Sequence, residues 1–353
     1  MLIETLQLEN FRNLSQVRIE AHPRLNVLFG ANGAGKTSVL ESVVVLSRGR
    51  SFRTTQANEL IGPDKPSFLV FARTQNQATI PHRLGLERTG RHWRARRDGE
   101  ELMQLSQLTR ELPLVLIEPN SHLLVSGPPE TRRRFLDWGM FHVEHEFLNV
   151  WRRYSRALKQ RNSALRAGRV DMLDGLDEVL VRESGRLTRL RQTHAEAVAK
   201  AVEVMMTLLS AGLSPVTLEY QAGWAGESYE EALRHGREKD LERGMTGSGP
   251  HRADLKMVQG GVAARAVLSR GEQKILSSAL LLSQARILAG TGEKPLLLLD
   301  DLASEFDQNH FESVLEQALG NRGQVWLTGT REVELPRGHK VFHVERGDVA
   351  EVV

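Results

Sequence analysis

Residues 25–37 read Leu-Asn-Val-Leu-Phe-Gly-Ala-Asn-Gly-Ala-Gly-Lys-Thr, and this stretch decides the fold. Its mostly apolar start predicts a buried strand, and a helix is expected over residues 36–47. Between them stands the pattern Gly-x-x-x-x-Gly-Lys-Thr of a phosphate-binding loop, in the strand–loop–helix context that such a loop needs. Backbone N–H groups of the loop surround a phosphate at the positive end of the helix. The sequence therefore predicts a nucleoside triphosphate site at Gly30, Ala31, Asn32, Gly33, Ala34, Gly35, Lys36 and Thr37.

Four consecutive leucines at 296–299 form the second feature. Such a run is typical of a strand that is buried on both faces of a parallel sheet. Two carboxylates follow it directly, at the strand end where α/β sheets bind ligands. We expect Asp300, with Thr37, to hold Mg²⁺, and Asp301, with Lys36, to act in catalysis by positioning or deprotonating an attacking water. The alternative is a turn that two Asp residues cap.

A third motif, Leu268-Ser269-Arg270-Gly271-Glu272, precedes a predicted helix. Ser269 and Glu272 have the spacing of a capping box, which alone would explain both residues. Beside a phosphate loop, however, the stretch resembles the Leu-Ser-Gly-Gly-Gln signature of ATP-binding-cassette (ABC) proteins. In that family this helix end approaches the γ-phosphate that a second subunit binds. The resemblance implies that Ser269, Arg270, Gly271 and Glu272 act in trans.

The 353 residues separate into regions of different pattern. Residues 67–97 read as antiparallel strands with a turn near Gly90, and residues 119–245 are mainly helical. Two long amphipathic helices within that region meet at Gly168 and predict a short antiparallel hairpin. We therefore expect a head formed by residues 1–118 and 246–353, with residues 119–245 inserted as a helical lobe.

Composition narrows the class of protein. The chain has no cysteine, a net charge of +3 and a pI near 9.3, and its basic residues are mostly arginine. No apolar run approaches the length of a membrane span and no signal peptide is visible, so we expect a cytoplasmic protein without a membrane partner. Arg94 and Arg96 share a strand face that is either solvated or directed at DNA phosphates.

Three further stretches of the sequence indicate which family the chain resembles. Residues 8–13 (Leu-Glu-Asn-Phe-Arg-Asn) resemble the Asn-Phe-Arg start shared by SMC-like repair ATPases. Residues 127–137 and 249–255 resemble two blocks of the bacterial RecF family of SMC/Rad50-like ABC ATPases, and this likeness covers essentially the whole chain. The resemblance implies an α/β fold: an ABC-type P-loop ATPase head with an antiparallel β meander and an inserted α-helical lobe containing a short antiparallel helical hairpin. It also implies that Arg12 approaches the nucleotide and that Ser304 and Asp307 belong to a D-loop near a dimer interface.

The function implied by this resemblance is ATP-dependent DNA binding in recombinational gap repair, replication restart and the SOS response. Family members form an ATP-dependent homodimer on double-stranded DNA and on junctions of single- and double-stranded DNA. They assist RecR and RecO in loading RecA. The cofactors are ATP and Mg²⁺, and a weak, DNA-stimulated ATPase resets the DNA-bound clamp.

Three positions depart from ABC patterns. Asp301 stands where many cassette ATPases have Glu, and Glu118 stands near the position of the Q-loop glutamine. No His follows the strand near residue 327; of the two threonines there, we expect Thr330 to be the switch residue. Two alternatives stay open: the ATPase subunit of an ABC transporter, and a short-armed SMC-like structural protein. The missing Gln and His and the helical hairpin argue against the first, and the lack of helices longer than about 40 residues argues against the second.

Overall fold

A computed structural model describes residues 1–75, 80–210, 212–330 and 338–352. The chain divides into two compact units: Met1–Ser121 with Leu288–Val353, and His122–Ile287. The chain thus re-enters the first unit at residue 288, whereas the sequence pattern predicted that it does so at residue 246. The reason is that Thr217–Gln221 pairs with Asp254–Gln259, which keeps the segment after residue 246 with the second unit.

The described residues form fifteen strands and eleven α-helices. The strands are β1 (Leu2–Phe11), β2 (Leu14–Glu20), β3 (Leu25–Phe29), β4 (Ser67–Gln75), β5 (Pro81–Thr89), β6 (His92–Arg97), β7 (Glu100–Glu101), β8 (Leu114–Ile117), β9 (Thr217–Gln221), β10 (Asp254–Gln259), β11 (Val262–Ala263), β12 (Leu296–Leu299), β13 (Val325–Gly329), β14 (Lys340–Glu345) and β15 (Asp348–Val352). The α-helices are α1 (Lys36–Arg48), α2 (Ser106–Glu111), α3 (Leu123–Ser126), α4 (Pro129–Val143), α5 (Phe147–Arg166), α6 (Leu173–Leu209), α7 (Tyr229–Arg243), α8 (Ala264–Val267), α9 (Arg270–Gly290), α10 (Leu302–Glu305) and α11 (Gln308–Gly320).

The first unit contains two sheets. One is antiparallel, in the order β2-β1-β4-β5-β6-β7, and it confirms the predicted meander. Alternate side chains of β4, such as Phe68, Val70 and Ala72, are buried, as the period of two along a half-buried strand requires. The core cluster joins the inner face of this sheet to α1 and to residues of the other sheet.

The other sheet carries the phosphate loop. Its order is β15-β14-β3-β13-β12-β8, and all neighbours are parallel except β14 and β15. The four leucines of β12 are completely buried, and each contributes about 2 kcal/mol of burial free energy. Because Leu299 lies opposite both Ile117 and Leu327, the carboxyl ends of β8, β12 and β13 meet at one edge, together with that of β3. This edge is where the candidate site forms.

The second unit contains the predicted hairpin. Helices α5 and α6 are joined through Gly168, which has a positive φ of 65°. Arg161, which falls among the apolar residues of α5, is wholly buried. Its Nε donates to Asp177 at 2.5 Å, and its Nη1 donates to Asp240 at 2.6 Å and to Thr246 at 3.0 Å. The two carboxylates balance the buried guanidinium, as a charge away from water requires.

The second unit also explains why residues 127–137 and 249–255 stand out in the sequence. Arg132 forms a two-pronged ion pair with Asp254, at 2.7 and 3.0 Å, and Arg133 donates to the carbonyl oxygen of Ala253 at 2.7 Å. Arg191 of α6 pairs in the same way with Asp137 and donates to the carbonyl oxygen of Pro250 at 2.6 Å. The two blocks therefore hold each other in place.

Among the helices of the described ranges, none combines the length and the apolar character needed to cross a membrane.

Candidate nucleotide site

The phosphate loop connects β3 to α1 and depends on glycine at two positions. Gly30 has φ 151°, and a Cβ atom there would lie 2.1 Å from the carbonyl oxygen of Val344 in β14. Gly35 has φ 123°, and a Cβ atom there would lie 2.9 Å from the Leu14 side chain. Side chains are excluded at both positions by backbone strain and by contact. The glycines thus allow the loop to pack tightly against its neighbours.

Lys36 is buried at the start of α1. Its Nζ donates to the carbonyl oxygens of Gly30 at 2.7 Å and of Ala31 at 2.9 Å, so the ammonium group lies over the loop. Burial lowers the pKa of Lys36, and the carboxylates of Asp301 and Asp300 act in the opposite direction. The loop therefore holds a desolvated cation where the sequence pattern places a phosphate.

Two hydroxyl groups meet the first carboxylate after β12. Asp300 Oδ1 accepts from Thr37 Oγ1 at 2.9 Å and from Thr328 Oγ1 at 2.8 Å. Thr328 Oγ1 in turn accepts from the N–H of Asp301 at 2.8 Å, so it links the two Asp residues. Burial raises the pKa of Asp300, and the hydrogen bonds from Thr328 and Thr37 oppose this rise. The arrangement unites Thr37 with Asp300, as the sequence predicts.

Asp301 stands at the N-terminus of α10 with a left-handed backbone, φ 51°. Its Oδ2 accepts from Ser304 Oγ at 2.6 Å, whereas its Oδ1 is buried and has no hydrogen-bond partner within the described residues. A buried carboxylate oxygen without a partner is costly unless a ligand or a water completes it. Asp301 thus has the free acceptor that a residue orienting a water needs.

The oxygen atoms at this edge fit Mg²⁺. Mg²⁺ prefers oxygen ligands and keeps several waters and substrate phosphate oxygens, so that one or two protein side chains suffice. Thr37 Oγ1 and Asp300 would be these two, and the unpartnered Asp301 Oδ1 would be free to accept a hydrogen bond from a water beside them. When bound, Mg²⁺ would neutralise phosphate charge here.

A cavity of about 420 Å³ adjoins the loop. Arg12 lines it, and two nitrogens of its guanidinium donate to Glu41. Thr330 is exposed and is not among the lining residues, whereas Thr328, at the end of β13, is. The structure thus favours Thr328 over Thr330 as the threonine that contacts the site. The lining residues are Arg12, Asn13, Asn32, Gly33, Gly35, Lys36, Thr37, Ser38, Arg53, Glu59, Ile61, Pro63, Asp301 and Thr328.

Ser269–Glu272 belongs to the second unit and forms the predicted capping box. The N–H of Ser269 donates to Glu272 Oε2 at 2.7 Å, and the N–H of Glu272 donates to Ser269 Oγ at 3.3 Å. Ser269, Arg270 and Gly271 are exposed. The cap therefore presents the first turn of α9 to the surface, which a role in trans requires.

The remaining predicted residues lie outside the cavity. Asp307 caps α11 by accepting from the N–H of His310 at 3.0 Å, and Ser304 contacts Asp301. Arg94 and Arg96 are exposed on β6. Arg94 lies 3.9 Å from Glu87, whereas Arg96, opposite Gly85 of β5 and Glu101 of β7, has no ion pair within the described residues. Arg96 is therefore the better candidate of the two for a DNA contact.

Two acidic residues near the site were not assigned a role from the sequence. Glu118 follows β8, beside Asp300 across the parallel pair. Burial raises the pKa of Glu118 to about 7, and the charge of Asp300 adds to this effect. Glu41 is wholly buried in α1. The signal for Glu41 was available: it is the one charged residue in the stretch Ser-Val-Leu-Glu-Ser-Val-Val-Val-Leu, which is otherwise apolar except for two serines.

The chain is similar in sequence to known proteins along its whole length. Residues 2–349 match the family model described as the RecF/RecN/SMC N terminal domain. The "DNA replication and repair protein RecF" of Stenotrophomonas maltophilia is 40% identical over 366 residues, which cover 100% of both chains. That of Coxiella burnetii is 39% identical over 99% of both.

Solved structures agree with these relatives. The structure of the recombination mediator protein RecF-ATP in the RecFOR pathway superposes with a TM-score of 0.89 at 25% identity, over 100% of this chain and 98% of that one. An Smc head domain from Pyrococcus furiosus superposes with a TM-score of 0.61 at 14% identity, over 99% of this chain and 96% of that one, which shows a shared fold.

Proposed function

The chain belongs to the RecF family of DNA replication and repair proteins, and on this premise we propose that it is an ATP-dependent DNA-binding protein of recombinational gap repair and replication restart. The observation that carries the proposal is the cluster of Lys36, Thr37, Asp300 and Thr328 at one sheet edge, in a chain that matches RecF proteins along its full length. That full-length match argues against a transporter ATPase subunit.

The proposed reaction is the hydrolysis of ATP to ADP and phosphate. The loop N–H groups and Lys36 bind the polyphosphate, and Thr37 and Asp300 hold Mg²⁺. Asp301 orients the attacking water and accepts its proton, for which its unpartnered Oδ1 is suited. Transition-state charge falls on the phosphate oxygens, where Lys36 stabilises it. We propose that hydrolysis is slow and stimulated by DNA, so that it limits the lifetime of the ATP-bound state on DNA.

The proposed switch is an ATP-dependent homodimer. The exposed cap at Ser269–Glu272 completes the site of a second copy, and Ser304 and Asp307 lie near the interface. ATP then stabilises the dimer because it contacts both copies, and hydrolysis removes this differential affinity. DNA occupies a basic surface that includes Arg96, through backbone contacts without base reading. We further propose action in the cytoplasm with RecR, upstream of RecO and RecA.

Fluorescence anisotropy of a labelled junction between single- and double-stranded DNA tests this function. We expect binding with ATP and little binding with ADP or without nucleotide. Affinity should fall at least about tenfold between about 50 and 200 mM salt, because phosphate contacts release counterions. Equal binding in all nucleotide states, or binding that is insensitive to salt, would contradict the proposal. Blunt duplex DNA is the control that separates junction preference from general DNA binding.

Asp301→Asn should lower the rate of ATP hydrolysis by about 100-fold or more, since general-base assistance contributes a factor of 10² to 10⁴. ATP affinity should change less than about threefold, because Thr37, Lys36 and Asp300 stay in place. Single-turnover hydrolysis and equilibrium ATP binding measure the two effects. Asp171→Asn is the matched control, because Asp171 is exposed and is not among the residues that line the cavity. A hydrolysis rate that Asp301→Asn leaves unchanged would remove Asp301 from the mechanism.

A further inference from the structure

Glu41 is a carboxylate in the core of the phosphate-loop helix. It lies five residues after Lys36 in α1, and its side chain is 0% exposed. Its neighbours in sequence, Leu40 and Ser42, are also fully buried. A carboxylate in such surroundings is stable only if charged or polar donors surround it. The partners of Glu41 therefore indicate why an acid stands at this position.

Three side chains from outside α1 donate to Glu41. Arg12, between β1 and β2, forms a two-pronged pair, with Nε 2.8 Å from Oε2 and Nη2 2.7 Å from Oε1. Arg53 Nη1 lies 3.3 Å from Oε2, and Ser51 Oγ donates to Oε1. One buried acid thus ties two arginines to α1. The two guanidiniums thus share Glu41, and the half-exposed carboxylate of Glu59 lies 3.9 Å from Arg12 Nη1.

Both arginines also line the cavity beside the loop. The backbone of Arg12 is fixed by a positive φ of 54° and by a hydrogen bond from its N–H to the carbonyl oxygen of Leu60, at 2.8 Å. Its side chain is 19% exposed, and that of Arg53 is 44% exposed. Each guanidinium therefore has one side on Glu41 and N–H groups left to meet a ligand in the cavity.

We propose that Glu41 is a positioning residue that sets Arg12 and Arg53 as a pair of guanidiniums for the polyphosphate of the bound nucleotide. The inference rests on the proposed ATP site. Glu41 does not contact the nucleotide; it fixes the orientation of the two guanidinium groups that do. Since a triphosphate offers more charged acceptor oxygens than a diphosphate, a pair of oriented guanidiniums favours ATP over ADP.

The neighbouring acid Glu59 separates two possible roles of Glu41, positioning and simple electrostatic attraction. Its carboxylate lies 3.9 Å from Arg12 Nη1 and is 48% exposed. Without Glu41, Glu59 is the remaining ion-pair partner of Arg12, and we expect the guanidinium to turn toward it. Loss of Glu41 thus removes the orientation of Arg12 without removing its charge, which separates positioning from simple electrostatic attraction.

The test measures the affinity of the full-length protein for a non-hydrolysable ATP analogue and for ADP. Glu41→Gln keeps the shape of the side chain and should weaken binding of the ATP analogue by about 10- to 100-fold, the range for charge-assisted hydrogen bonds. ADP binding should weaken several-fold less, and Glu41→Asp should restore part of the preference. Ser42→Ala is the control on the same helix, because Ser42 Oγ donates only to the carbonyl oxygen of Val39, at 2.6 Å, among the described contacts.

A thermodynamic cycle separates positioning from a structural effect. Adding Glu41→Gln to a variant that carries Arg12→Gln and Arg53→Gln should cause no further loss of preference for the ATP analogue. An additive loss, an equal loss for both nucleotides, or an unchanged preference in Glu41→Gln overturns the proposal. If Glu41→Gln does not fold, Arg53→Gln alone decides, since Arg12 still satisfies Glu41; an unchanged preference then overturns it. Failure of the wild type to bind ATP would instead contradict the proposed function.

Discussion

Lys36→Met should weaken ATP binding by about 100-fold or more, because methionine keeps the length of the side chain and removes every charge-assisted hydrogen bond to phosphate. The Lys36 ammonium lies over the phosphate loop, on the carbonyl oxygens of Gly30 and Ala31. Equilibrium titration with a fluorescent ATP analogue measures the loss. Sedimentation should show that the ATP-dependent dimer is lost as well.

The folded state itself should tolerate this change. Burial already lowers the pKa of Lys36, so removal of the charge relieves a desolvation cost. We expect the thermal midpoint without nucleotide to stay the same or rise. Lys65→Met is the matched control, because Lys65 is exposed and is not among the residues that line the cavity. Saturation of Lys36→Met at the ATP concentrations that saturate the wild type would refute the assignment of the loop.

Arg161→Met should destabilise the second unit by about 3–5 kcal/mol, the usual result of breaking a buried ion pair from one side. The variant leaves the carboxylates of Asp177 and Asp240 without the guanidinium between them. Arg237 still contacts Asp177, at 2.8 Å, so the remaining charge is concentrated on Asp240. Hydrogen exchange in α5 and α6 reports on this unit alone, which a single melting temperature of a two-unit chain does not.

Two further variants test the physical reason for that loss. Replacing both acids with amides in the Arg161→Met background should recover much of the stability, because the uncompensated charges disappear. Arg169→Met removes an exposed pair with Asp171 and should leave hydrogen exchange in α5 and α6 unchanged. An Arg161→Met protein with unchanged protection in α5 and α6 would show that the buried cluster contributes little.

Features that depend on nearby residues were predicted well from the sequence. The phosphate loop, the capping box at Ser269 and the hairpin turn at Gly168 each follow from spacing within about ten residues. The same holds for the leucine strand β12 and the acids after it. In the capping box the residues that define the feature also make its hydrogen bonds, so a short window of sequence contains the physical cause. The strand β12 is recognised from its four leucines, although its hydrogen bonds go to β8 and β13.

Features that depend on distant contacts were not predicted. The sequence does not distinguish Thr328 from Thr330 as the threonine at the site. Only the register of β13 against β3 and β12 places Thr328 Oγ1 beside Asp300. Glu41 reads as a helical residue until Arg12 and Arg53 converge on it. The second unit extends to residue 287 because β9 and β10 pair across more than thirty residues of intervening chain. Pairing partners, rather than propensities, decide such positions.

The position of β3 between β13 and β14 affects when this strand can fold during synthesis on the ribosome. Its two neighbours are β13 and β14, and the carbonyl of Val344 in β14 packs against Gly30. These strands emerge roughly 300 residues after β3, which at about 5–20 residues per second is a delay of about 15–60 seconds. Throughout that interval the phosphate-loop strand has two open edges, which makes it a target for chaperones and for aggregation. A transcript cut before residue 325 would encode the complete phosphate-loop motif and still yield no nucleotide site.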